Sequence, residues 1–210
     1  MELIRLTVKD FADTMASDAP APGGGSAAAL AGALGAALTA MVSSLTIGKK
    51  KYAEHEAHAK EIQARASELK DLLLTAVDKD TEAFNIISDA FSMPKGTDEE
   101  KAARSAAIQA GLAACVESPL QIMTYSSEAL HLIEASLGRF NTSAASDLGV
   151  AVLELRTAVL GAWLNVLINL SNKKDKEKAA SYRKTGEEML AGLVPLADRL
   201  FAEIAQICEG

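Results

Sequence analysis

A chain of 210 residues is long enough to bury a core as one domain, and a formal charge of −7 argues against nucleic acid as its main partner. Hydrophobic residues make up 49% and aromatics only 4%, with five prolines and little β-branched alternation, so an all-α bundle of close-packed helices is expected over residues 1–210. Cys115 and Cys208 form no motif and no secretory leader pattern opens the chain, which predicts a reduced, cytoplasmic protein.

Residues 6–16 are predicted to form a short leading helix. Next comes Pro20-Ala21-Pro22-Gly23-Gly24-Gly25-Ser26, running into Ala27-Ala28-Ala29-Leu30, with no charge between Asp18 and Lys49. Two prolines fix the approach, and three glycines allow positive φ. Ser26 is the expected N-cap of a long Ala-rich helix that runs to Ile47. Free N–H groups at such a start form an anion or oxyanion site. The loop lacks dinucleotide spacing, and Ser43 stands where a Walker loop needs Gly. The uncharged run is long enough to cross a bilayer, but Ala, Gly, Ser and Thr dominate it. A buried central helix, with no membrane partner, is therefore expected. Lys49, Lys50 and Lys51 close it, either complementing the helix dipole or holding an anion.

A long third helix is predicted over Glu54–Phe91, ended by Ser92–Gly96. Thr97 and Glu100 form a capping box that opens a fourth helix, which Pro119 should break or kink. A fifth covers Leu120–Leu137, closed by Gly138. The sixth, Ala144–Leu170, is apolar on almost every face. The seventh, Lys176–Ile207, should bend or split at Pro195. Lys173, Lys174, Lys176 and Lys178 read as a solvated turn.

Polar residues inside apolar stretches are the candidates for chemistry. Ile62, Ala66, Leu69, Leu73, Ala76, Asp80, Ala83 and Ile87 alternate in steps of four and three, the seam of a helix packed along its length. Asp80 falls inside that seam, so its carboxylate must be paired or its pKa raised. A structural carboxylate bonded to a neighbouring helix end is an equal alternative. Asn165 and Asn169 share one face of the sixth helix, fit for inter-helix bonding or ligand contact. Asp147 sits in that helix's first turn, beside Asn141, Ser143 and Ser146, with more polar groups than one cap requires. His55 and His58 are three apart, not four, so a solvated face is expected and no metal site.

These motifs resemble the cyclodeaminase/cyclohydrolase family of tetrahydrofolate one-carbon enzymes. The matching segments are Ala21–Ser26, Leu45–Tyr52, Asp80-Thr81-Glu82-Ala83-Phe84, Met93-Pro94-Lys95, Asn141 with Ser146-Asp147, and Asn165–Leu170. They cover nearly the whole chain in order. One departure is Phe140, where members commonly have Gly before the loop Asn, and it could reshape the pocket mouth. The resemblance implies a homodimeric helical bundle with a folate pocket near the dimer interface.

It also implies chemistry on one carbon between N5 and N10 of reduced folate. Formiminotetrahydrofolate cyclodeaminase, releasing ammonia, is the first expectation, with methenyltetrahydrofolate cyclohydrolase as the alternative. A non-catalytic helical module binding an anion, and a membrane hairpin, are the competitors from other classes. Either reaction needs a proton shuttle, with Asp80 assigned as shuttle and Asp147 as its electrostatic partner. Substrate contacts are expected from Pro22, Gly23, Gly24, Gly25, Ser26, Asn141, Ser146, Asn165 and Asn169. Lys49, Lys50 and Lys51 would meet the glutamate tail, which polyglutamylation lengthens. No cofactor beyond the tetrahydrofolate substrate, and no metal, is expected.

Overall fold

The computed structural model describes residues 2–171 and 175–210. Lys173 and Lys174 of the second lysine cluster lie outside them. Among the described residues all regular elements are helical: α1 (Val8–Met15), α2 (Gly24–Thr46), α3 (Glu56–Ser92), α4 (Asp98–Ser136), α5 (Ala145–Leu170) and α6 (Lys176–Glu209), with short 3-10 turns between some of them.

Local chemistry sets the ends. Thr7 caps α1 by accepting from the Asp10 N–H, and Thr97 and Glu100 form the expected capping box of α4. Gly48 and Gly138 take φ of 75° and 72° just beyond α2 and α4, a left-handed conformation that suits glycine.

One proline expectation is corrected: Pro119 lies inside an unbroken helix, so the predicted fourth and fifth helices are one. Pro195 likewise lies inside α6, which it does not split. The missing N–H of Pro119 would have bonded the Cys115 carbonyl. Asn169 Nδ2 of α5 donates to that carbonyl instead, at 3.2 Å.

Successive long helices run antiparallel. Along α2 and α5, Gly24 meets Asn165, Gly32 meets Ala158 and Gly35 meets Leu155. Along α3 and α4, Arg65 pairs with Glu128 near one end and Ala83 with Cys115 near the other. Small residues permit the close approach: a Cβ on Gly35 would fall 2.7 Å from Leu155, and one on Gly111 would fall 2.9 Å from the Ile87 backbone. Leu69, Leu73, Ile122, Met123, Leu130 and Leu155 fill the interior, fully enclosed. Truncating one of them to Ala costs about 2–5 kcal/mol.

α2 is central and buried along one side, but it is not covered all round. Leu34, Met41 and Leu45 on α2 are exposed, as are Val150, Leu153, Leu164 and Ile168 on neighbouring α5. Both helices are long and apolar enough to cross a membrane by length and composition, yet about half of each apolar stretch is covered by its neighbours.

Candidate functional site

A cavity of about 570 Å³ opens where the start of α2, the later half of α3, the middle of α4 and the end of α5 converge. The antiparallel order brings these four regions together. Gly23, Gly24, Gly25, Asp80, Asn165 and Asn169 all line it.

The glycines act differently from expectation. Gly23 is the N-cap, with φ −118°, and none of the three takes positive φ. What matters is the missing side chain at Gly25: a Cβ there would fall 2.1 Å from Asp80 Oδ1. The Asp80 carboxyl therefore lies directly on the first turn of α2. That turn has no side-chain cap of its own, and its leading N–H groups lack intrahelical partners. Asp80 caps α2 from a neighbouring helix.

Ser26 is not the N-cap but stands in the helix's first turn, fully buried, with its side chain turned to α3. Its Oγ lies 3.0 Å from Val77 O, 3.2 Å from Asp80 Oδ2 and 3.3 Å from Thr81 Oγ1. A hydroxyl has one hydrogen for these acceptors. When Asp80 is ionised, Ser26 gives that hydrogen to the carboxylate. When Asp80 is protonated, it can donate to Ser26, which then donates to Val77 O. The site thus accommodates both forms of Asp80. Burial raises the Asp80 pKa above the usual carboxylate range, while bonds from the Ser26 hydroxyl and N–H pull it back.

Asn165 Nδ2 donates to Gly161 O at 2.9 Å and sits beside Gly24. Asn169 Nδ2 bridges to Asn165 O and Cys115 O. Both amides are held by bonds to α5 and α4 backbone and also border the cavity. Sequence reasoning missed Thr81, Phe84, Phe91, Gln109 and Cys115 as lining residues. The signal was there for α3: Asp80, Phe84, Ile87 and Phe91 continue one face in steps of four, three and four. The Cys115 thiol donates to Ala83 O at 3.3 Å, and burial with the Asp80 charge pushes its pKa up to about 11. It stays a thiol at neutral pH, not a nucleophile.

The other candidates lie elsewhere. α2 is 23 residues long, so its ends are about 33 Å apart. Lys49, Lys50 and Lys51 follow its far end, and Asp147 is about 27 Å along α5 from Asn165. None of them, nor Asn141 or Ser146, lines the cavity within one chain. Asn141 ties that far end together: its N–H donates to Thr46 Oγ1 at 2.9 Å, and its amide donates to Leu45 O at 3.1 Å. Beside it, bonds from the Thr142 side chain and N–H lower the Tyr52 pKa to about 8. Pro22 is buried behind the loop in a cis peptide. Phe140 is also buried, in the core, and does not reach the cavity mouth.

Comparisons with known proteins place the chain among relatives. Residues 7–188 match the sequence profile of the family described as formiminotransferase-cyclodeaminase. Methenyltetrahydrofolate cyclohydrolase of Methylorubrum extorquens is 41% identical over 198 residues, covering 94% of this chain and 95% of that protein. Formimidoyltransferase-cyclodeaminase of Mus musculus is 35% identical over 179 residues, which cover 84% of this chain but 33% of the mouse protein. The crystal structure of formiminotetrahydrofolate cyclodeaminase from Thermotoga maritima superposes with a TM-score of 0.82 at 27% identity, covering 100% of this chain and 98% of that one.

Proposed function

The chain belongs to the formiminotransferase-cyclodeaminase family, and from that premise we propose that it is a methenyltetrahydrofolate cyclohydrolase. The observation that carries this choice is the end-to-end match to the M. extorquens cyclohydrolase. It reverses the order expected from sequence, where cyclodeamination came first. Cyclodeamination remains the second reading, favoured by the full-length likeness to the T. maritima enzyme.

The site suits hydrolysis. Phe84 and Phe91 offer aromatic faces for the flat rings of folate, and the amides of Asn165 and Asn169 border the same space. The methenyl group is cationic, so its arrival favours the ionised form of Asp80. Water then attacks the methenyl carbon and Asp80 takes its proton. Asp80 returns that proton to N5 as the C–N5 bond breaks, and accepts the proton of the carbinol hydroxyl as the formyl group forms on N10. One proton in total ends on Asp80 and leaves to solvent. In cyclodeamination N10 attacks the formimino carbon, and protonated Asp80 would serve the departing ammonia. Neither route is a redox step, and we read the enzyme as needing no cofactor beyond its folate.

The exposed apolar face of α2 and α5 supports a homodimer. An antiparallel pairing across it would carry the far-end cluster of one copy, lysines and Asp147 included, toward the cavity of the other. The test is absorbance of 5,10-methenyltetrahydrofolate, whose conjugated chromophore is lost on hydrolysis. Enzyme-dependent loss of that signal is expected. Its formation from formiminotetrahydrofolate, without hydrolysis, would favour the second reading. No turnover of either would overturn both.

A further inference from the structure

A second groove, of about 280 Å³, joins the cavity at its outer end, where Ile108 and Gln109 line both. Every charged residue lining it is a cation: Lys95, Lys101 and Arg104. The track is continuous along one face of α4, through Lys101, Arg104, Ile108, Leu112 and Cys115, spaced three, four, four and three. That face is about 21 Å long. The Arg104 guanidinium lies 5.8 Å from the centre of the Phe91 ring, which itself borders the cavity. Arg104 Nη2 donates to Phe91 O at 3.1 Å, whereas its Nε is buried with no hydrogen-bond partner among the described residues. Of the nearby acids, Asp98 pairs with the groove's own Lys101 at 2.9 Å, while Glu100 is turned to the Gly96 and Thr97 N–H groups, from which it accepts.

Resting on the folate reading, we propose that Lys95, Lys101 and Arg104 form the subsite for the substrate's anionic glutamyl tail. A flat ring system in the cavity would leave its tail at the rim, where Phe91 and Arg104 stack. Successive tail carboxylates then meet successive turns of one helix face. The Asp98–Lys101 pair is exposed on both sides and yields easily to a stronger carboxylate partner. The subsite lies within the chain that holds the cavity, unlike Lys49–Lys51, which could arrive only from a partner.

The experiment compares KM for 5,10-methenyltetrahydrofolate carrying one glutamate and several glutamates. The proteins are the wild type, Lys101→Glu, the double variant Lys95→Ala with Arg104→Gln, and the triplet variant with Lys49, Lys50 and Lys51 all changed to Ala. Lys184→Ala, an exposed lysine on α6, is the control. The wild type should prefer the longer tail, and each groove cation removed should weaken that preference by about two- to fivefold. The preference should also fall as salt is raised, since exposed pairs are screened. The Lys101 side chain is 59% exposed, so Lys101→Glu reports even if the Arg104 change disturbs Phe91. Equal KM values for both tails in the wild type would overturn the proposal. So would a preference that survives in the groove variants and vanishes only in the triplet variant. Normal turnover of the monoglutamate in those cases leaves the folate reading standing. Absence of turnover with either tail removes the folate reading and this subsite with it.

Discussion

Two opposing effects meet on the Asp80 carboxyl. Burial favours its protonated form, while the Ser26 hydroxyl and the open start of α2 favour the charged one. Burial wins, so the folded pKa lies above the unfolded value. A group shifted this way contributes its stability fully below the ordinary carboxylate range and loses it as pH rises through the folded pKa. At neutral pH the wild type therefore carries a cost that Asp80→Asn removes. The variant should show a higher Tm than wild type near pH ~7, and the gap should close below pH ~4. Its kcat should fall by about two to four decades, the usual contribution of a general acid or base. A variant less stable at neutral pH would make Asp80 a stabilising helix cap; near-normal kcat would remove it from the chemistry. Gly25 tests the same geometry from the other side. Gly25→Ala places a methyl group on the Asp80 carboxyl. The carboxyl must move, and kcat/KM should drop about a hundredfold, the effect of a displacement near ~1 Å. Gly24→Ala meets Asn165 only at ordinary contact distance, 3.5 Å, and should lose far less.

At the scale of elements, the helices were legible because their signals are local. The capping box, Gly138 and the four-and-three seam of α3 need no knowledge of the fold. Pro119 misled for the opposite reason. Proline disfavours a helix interior both by its ring's clash with the carbonyl four residues back and by leaving that carbonyl without a donor. Here the donor is Asn169, 54 residues further on in another helix, and nothing in the local sequence announces it. Pro195 shows the milder case, since Ala191, whose carbonyl it orphans, is exposed to water. This pairing predicts a coupling. Asn169→Ala should destabilise by about 1–3 kcal/mol, by leaving the Cys115 carbonyl unpaired. Pro119→Ala restores the N–H that carbonyl would otherwise use. In the double variant the loss from Asn169→Ala should shrink, and chemical denaturation of the four proteins measures the difference. Strict additivity would mean that the Asn169 bond does not serve the proline.

Across the whole molecule, the sequence picked out polar residues within apolar stretches but could not divide them between the two ends of the bundle. Residues near in sequence separate by 1.5 Å per residue along a helix, so the glycine loop and the lysine triplet of α2 sit at opposite ends. Residues far apart in sequence, such as Gly25, Asp80 and Asn165, meet because the helices alternate in direction. Asp80 and the two amides reach one cavity; Asp147 and the lysines do not, within one chain. The apolar face of α2 and α5 is what would join the two ends. Leu164 is 66% exposed and Ile168 is 68% exposed, on the same face of α5, values that leave much apolar area in water. A homodimer covering this face predicts a mass of two chains in light scattering at micromolar concentration. Leu164→Glu combined with Ile168→Glu buries two charges in that interface and should give a single-chain mass with helical content intact. Both side chains point to solvent in the isolated chain, so the change does not touch its core. If the far-end cluster of one copy completes the cavity of the other, activity per chain should fall with dissociation, and wild-type activity should fall on dilution along the same curve as the mass. A wild type that is monomeric yet fully active at every concentration would sink the dimer and confine the chemistry to Asp80 and its neighbours in one chain.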